Sequence, residues 1–234
     1  NVERIDEQIT QLIEKAAIPS LMVEKAVEMP KISVNSVLIP TEHYQQLLKE
    51  KIDEITEVCD ITIEKFIDLL DGINTLKDVA YKMNASADII LKCAEFLMHC
   101  NIIDRANSDY ILLLYYYKLI NKISRSLVGL IGKATWRRIA KKLREKLENK
   151  LTEDMTIDYE NGGILYKQIE DIQSRLEISR FGLNNEDVIL FKSMVDEFLT
   201  ELKRIAIELI GKRVLDGILR KVRNELKEKY DVTA

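Results

Sequence analysis

A chain of 234 residues with 47% hydrophobic and 32% charged residues can bury a substantial core, which excludes the disordered and disulfide-scaffold classes. Its net charge of −4 is small but segregated: residues 1–117 carry −9, 118–150 carry +9, 151–201 carry −8 and 202–234 carry +4. Such blocks say more about how segments or partners meet than the total does.

All three prolines (Pro19, Pro30, Pro40) lie in the first 40 residues, so nothing beyond them forbids long helices. The cysteines are three, Cys59, Cys93 and Cys100, an odd number that suits a reducing, cytoplasmic setting; the N-terminal residues carry no signal-peptide pattern. The most apolar window, Tyr110 to Gly132, holds Lys118, Lys122 and Arg125 near its middle, so it reads as a buried helix and not as a transmembrane span.

Residues 3–16 predict an amphipathic helix, with Ile5, Ile9, Leu12 and Ile13 apolar. Lys31 to Ile39 alternates loosely and predicts one strand. Thr41 then caps a helix with Tyr44, Leu47, Leu48, Ile52 and Ile55 on one side. The stretch 60–112 reads as helix, turn, helix, turn, helix and hairpin, the order of a winged helix. Its first apolar set is Ile63, Phe66, Ile67, Leu69 and Leu70, stopped by Asp71-Gly72. Thr75 with Asp78 forms a capping box for a second helix buried through Leu76, Val79, Ala80 and Met83. Ser86 caps a third, with Ile89, Ile90, Cys93, Ala94, Leu97 and Met98 apolar. Ile102-Ile103, the polar turn Arg105 to Ser108 and Tyr110-Ile111-Leu112 would form the wing.

From residue 113 onward the pattern is almost unbroken helix, and it repeats. Residues 130–151 and 209–230 align without gaps, nine of 22 positions being identical, and both open on Leu-Ile-Gly-Lys. The shared apolar positions Ile139/Ile218, Leu143/Val222 and Leu147/Leu226 recur every four residues. Each copy follows a long apolar helix (110–131 and 186–210), and Gly132 and Gly211 mark the bends. Between the copies, Asp158 to Gly163 reads as a turn before a helix over 164–180, and Asn184 or Asn185 caps the next helix. The fold class is mainly α: an N-terminal extension (1–59), a winged helix-turn-helix module (60–112) and a duplicated helical bundle (113–234).

The chemistry-bearing residues point to binding. The third winged-helix helix shows Asp88, Lys92, Glu95 and His99, two acids against one fixed cation, which suits a DNA groove poorly. Arg137, Arg138, Lys141, Lys142, Arg144 and Lys146 crowd one helix behind Trp136, with Arg137, Lys141 and Arg144 on one strip and Arg138, Lys142 and Lys146 on the next. These six are the candidate partner-binding residues. An acidic protein surface is the leading partner; nucleic acid, an anionic membrane surface and a second copy of the chain remain open. The competing structural reading is a solvated face lying against the acidic segment 151–201. Gly129 to Thr135 fails as a phosphate-binding loop, because Leu127 and Ala134 stand where Gly and Ser or Thr are required. With only His43 and His99 in the chain, no metal site, catalytic set or cofactor is expected.

Leu69-Leu70-Asp71-Gly72, Thr75-Leu76-Lys77-Asp78-Val79-Ala80 and Cys100-Asn101-Ile102-Ile103-Asp104 together resemble a generic winged-helix pattern. That pattern occurs in prokaryotic regulators and, more loosely, in nitrogen-permease-regulator-like proteins that act on small GTPases. The resemblance covers about a fifth of the chain and implies interaction or regulation more often than catalysis. The Ile- and Lys-rich composition suits an archaeal source. The expected role is a non-enzymatic cytoplasmic regulator or assembly protein; the alternative is a DNA-binding transcription regulator whose bundle dimerises or senses an effector.

Overall fold

Short-range caps and long-range strand pairing divide the work of shaping residues 32–230, the part described by the computed structural model. These residues are mainly helical. The predicted helix at 3–16 lies outside them. In chain order, β1 (Leu38–Pro40) leads into α1 (Tyr44–Glu50), α2 (Ile52–Val58), α3 (Ile63–Leu69), α4 (Leu76–Met83) and α5 (Ala87–His99), followed by β2 (Ile103–Arg105). The Thr75–Asp78 capping box forms: Asp78 N–H donates to Thr75 Oγ1 at 3.3 Å and Thr75 N–H donates to Asp78 Oδ2 at 2.9 Å. Asn84 ends α4 in the left-handed region, and Ser86 caps α5. Phe66, Val79, Ile90, Ala94 and Leu97 are sealed from solvent, which closes the core of this part. Ile89, expected on that face, is 38% exposed at the edge of the stripe.

The wing hairpin is not there. Asn107 accepts a hydrogen bond from Asp109 N–H at 2.8 Å, and this cap starts a 24-residue helix, α6 (Ser108–Ile131), that absorbs Tyr110, Ile111 and Leu112. An Asn-Ser-Asp triplet serves equally as a tight turn or as a helix start, and the apolar spacing behind it decides for the helix. β2 pairs instead with β1, antiparallel, with Leu38 opposite Arg105, Ile39 opposite Asp104 and Pro40 opposite Ile103. Of the expected 31–39 strand, residues 32–39 are described, and among them only Leu38 and Ile39 belong to β1. Thr41 caps no helix: its hydroxyl donates to the Asn101 carbonyl at 2.9 Å, and α1 and α2 are two short pieces.

α7 (Lys133–Leu147) follows α6 after Gly132. A hairpin of β3 (Met155–Ile157) and β4 (Ile164–Tyr166) comes next, with Met155 opposite Tyr166. The helix expected over 164–180 therefore begins with a strand, then runs as α8 (Lys167–Glu170) and α9 (Ile172–Phe181). Gly163 lets the hairpin touch α6, since a Cβ there would sit 2.0 Å from Asn121 Oδ1, the atom that accepts from Ile164 N–H at 2.7 Å. α10 (Asn185–Ile210), capped by Asn184, and α11 (Lys212–Tyr230) complete the chain on either side of Gly211.

Gly132 (φ 78°, ψ 157°) and Gly211 (φ 79°, ψ 151°) break their helix pairs with the same backbone angles, in a region open to glycine and costly for other residues. α6 packs on α7, α10 and α11, and α10 packs on α6, α7 and α11. Exchanging α6/α7 with α10/α11 maps this contact set onto itself. Lys122 of α6 pairs with Glu225 of α11, while Tyr230 at the end of α11 shares a crevice with Ile111 at the start of α6. α11 thus runs antiparallel to α6. Lys150, just past α7, pairs with Glu197 in the first half of α10, so α7 runs antiparallel to α10. Both glycine corners therefore lie at one end of the bundle.

At the opposite end α9 ties the bundle to the first helices. Arg175, 6% exposed, donates from Nε to the Asp71 carbonyl at 2.7 Å and from Nη1 to the Ile169 carbonyl at 2.9 Å. Tyr110 donates to the Gly72 carbonyl at 2.7 Å, Arg180 to the Pro40 carbonyl at 2.9 Å, and Lys229 pairs with Asp78 at 2.8 Å.

Candidate partner-binding surface

α7 has two opposed faces dictated by its spacing. Trp136, Ile139, Ala140, Leu143 and Leu147 recur at intervals of three and four residues and are buried. Trp136 is fully enclosed, and its indole N–H donates to the Asp158 carbonyl at 2.8 Å. With that face fixed, Arg137, Arg138, Lys141, Lys142, Arg144 and Lys146 all point to solvent and are exposed.

Arg137 is the one of the six that meets an acid among the described residues. It grips Glu160 with Nη2 at 2.6 Å from Oε1 and 2.8 Å from Oε2. Glu160 belongs to the acidic segment 151–201, so part of the cluster is neutralised within the chain. Both side chains are more than half exposed, which limits such a pair to about 0–1 kcal/mol. Arg138, Lys141, Lys142, Arg144 and Lys146 make no ion pair with a described residue.

Glu160 is held by the tight turn at Asp158, whose Oδ1 accepts from the N–H groups of Glu160 and Asn161, both at 2.9 Å. Burial pushes the Asp158 carboxyl up, but these N–H groups outweigh it and hold the group below the usual carboxylate range. The turn thereby fixes one wall of an open groove of about 670 Å³ between α7 and β3. Arg137, Lys141 and Arg144 line it together, as their shared strip predicts, while Arg138, Lys142 and Lys146 fall outside it. Glu145, Glu148 and Glu153 line it too, so this groove is balanced in charge and not purely cationic.

A second groove, about 530 Å³, lies between α10 and α11. Its wall carries Lys203, Lys212, Arg220, Arg223 and Lys227 against one acid, Asp216, and is the more positive of the two. None of these cations is among the six candidates on α7; the return of the chain at Gly211 is what brings Lys203 of α10 beside α11.

On α5, Asp88, Lys92, Glu95 and His99 are exposed, giving an outer face with no excess of cations. Arg105, assigned to the wing, is half-buried in β2. Cys59, Cys93 and Cys100 are buried and free, and among the described residues no group of three or more His, Cys, Asp or Glu is placed to hold a metal ion. No helix of the described residues is long and apolar enough to cross a membrane. Compared with protein-family models, curated proteins and solved structures, the chain has no match.

Proposed function

We propose that this is a non-enzymatic regulatory or assembly protein that works by binding another protein through the cationic face of α7. The carrying observation is the five exposed cations of that helix that form no ion pair with a described residue. Six cations within about 15 Å of helix axis repel one another, and screening over about 8 Å relieves this only in part. An acidic protein surface supplies the missing charge. In this reading α3 to α5 with β2 serve as a winged-helix module (60–112), and β1 of the extension (1–59) supplies the strand that pairs with β2. The bundle (113–234) is an internal duplication of the unit 130–151 as 209–230, a reading supported by the identical corner angles and the exchangeable contact set.

The test is affinity capture from native cytosol, repeated with purified partner, using wild type and an R138E/K141E/R144E variant. The reversed protein is expected to lose the partner at least tenfold in affinity, about 1.4 kcal/mol, with an unchanged melting temperature. Equal capture by both proteins refutes the reading. The α10–α11 groove favours a second reading, duplex DNA binding, because five cations around one acid suit phosphates. That reading requires duplex affinity falling steeply with salt and lost on R220E/R223E substitution.

A further inference from the structure

The two Leu-Ile-Gly-Lys corners form one end of the bundle. Lys122 and Glu225 set a common level for α6 and α11. From there Gly132 lies about 15 Å and Gly211 about 21 Å along the axis at 1.5 Å per residue, so the corners differ by only about 6 Å in height. Packed helices lie about 8–10 Å apart, which makes the corners neighbours.

Aliphatic side chains stand in water at both. Leu130 is 58% exposed, Leu209 49%, Val214 49% and Ile207 42%. Cations alternate with them. Lys133 opens α7, and Lys212 and Arg213 open α11, all three exposed. Neither helix has an acid in its first turn, and Gly132 and Gly211 have no side chain with which to cap it. A cation in a first turn opposes the helix macrodipole, and this chain places one there in both copies. The acids nearest these corners are Glu208 and, one turn into α11, Asp216.

We propose that the Gly132/Gly211 end docks on an anionic lipid bilayer surface. Four aliphatic tips enter the headgroup boundary, while Lys133, Lys212, Arg213 and the open helix N-termini meet the lipid phosphates. A second copy docking end to end would bring these same cations against one another. A fluid headgroup layer takes up a convex tip without a complementary pocket. The attachment is peripheral, since no helix of the described residues can span.

The experiment is flotation of the full chain with vesicles of phosphatidylcholine alone and with about a third phosphatidylserine, at low and high salt. Wild type is expected to float with the anionic vesicles only, and to be released by salt. L130E/L209E and K133E/K212E/R213E should each lower partitioning at least tenfold at an unchanged melting temperature. K146E, about 20 Å down α7, should leave it unchanged. Absence of serine-dependent flotation by wild type overturns the proposal. So does equal loss with K146E, which would mean diffuse attraction. A dimer in light scattering that L130E converts to monomer, without vesicle binding, overturns it in favour of self-association.

Discussion

Arg175→Met tests whether the seam between the first helices and the bundle is held by one buried cation. The substitution keeps the length and most of the volume of the side chain but removes two charged donors. It leaves the Asp71 and Ile169 carbonyls, which accept at 2.7 and 2.9 Å, without those partners at a site 6% exposed. Each carbonyl deprived of a buried donor costs about 1–3 kcal/mol, so about 2–6 kcal/mol is expected in all. The guanidinium also lies 3.8 Å from Asp71 Oδ2, a long contact that adds little. Urea unfolding followed by far-UV circular dichroism and by fluorescence of Trp136 measures the change. Trp136 is the single tryptophan and sits in the bundle core, so it reports a region that Arg175 does not touch. A cooperative unit moves both transitions together by that amount. A loss below about 1 kcal/mol, or a shift in dichroism that Trp136 does not share, refutes the seam.

Gly163→Ala should cost more than its size suggests, since the new Cβ would lie 2.0 Å from Asn121 Oδ1 at a φ of +98°; about 2–4 kcal/mol is expected in a urea titration, and a change under 1 kcal/mol would contradict the close approach. The lowered carboxyl of Asp158 sets a pH dependence. Its contribution is complete above the unfolded value of about 3.9 and is lost as pH falls through the folded one. Asp158→Asn should therefore be less stable than wild type at pH 7, with the gap closing in acid; a gap independent of pH between 7 and 3 would exclude this role.

How much of this was legible in the sequence follows the range of each interaction. The capping box at Thr75, the Ser86 and Asn184 caps and the glycine breaks are fixed within four or five residues, and a linear reading finds them. The exposure of the α7 cations followed as well, because the spacing of Trp136, Ile139, Leu143 and Leu147 leaves those six positions on the other face. The errors lie where distant segments decide. Ile103–Arg105 looked for a partner among its neighbours and found it some 65 residues earlier, in β1. The β3–β4 strands have three residues each, too few for alternation to show. The Arg137–Glu160 pair and the Lys203 wall of the second groove depend on a hairpin and a helix return that no local pattern encodes.

The exchangeable packing of the bundle has a consequence for synthesis. Its first helical hairpin ends at Leu147 and its second at Tyr230, some 80 residues later. At roughly 5–20 residues per second the ribosome needs about 4–16 s to deliver the second after the first. For that interval Leu113, Ile120 and Ile123 of α6 have no α10 or α11 to cover them. The β3–β4 hairpin emerges within twenty residues of α7 and binds back through Asn121 and Trp136. After α7, it is the next shield the nascent chain can raise over this apolar helix, and it arrives before the partners that finally bury it.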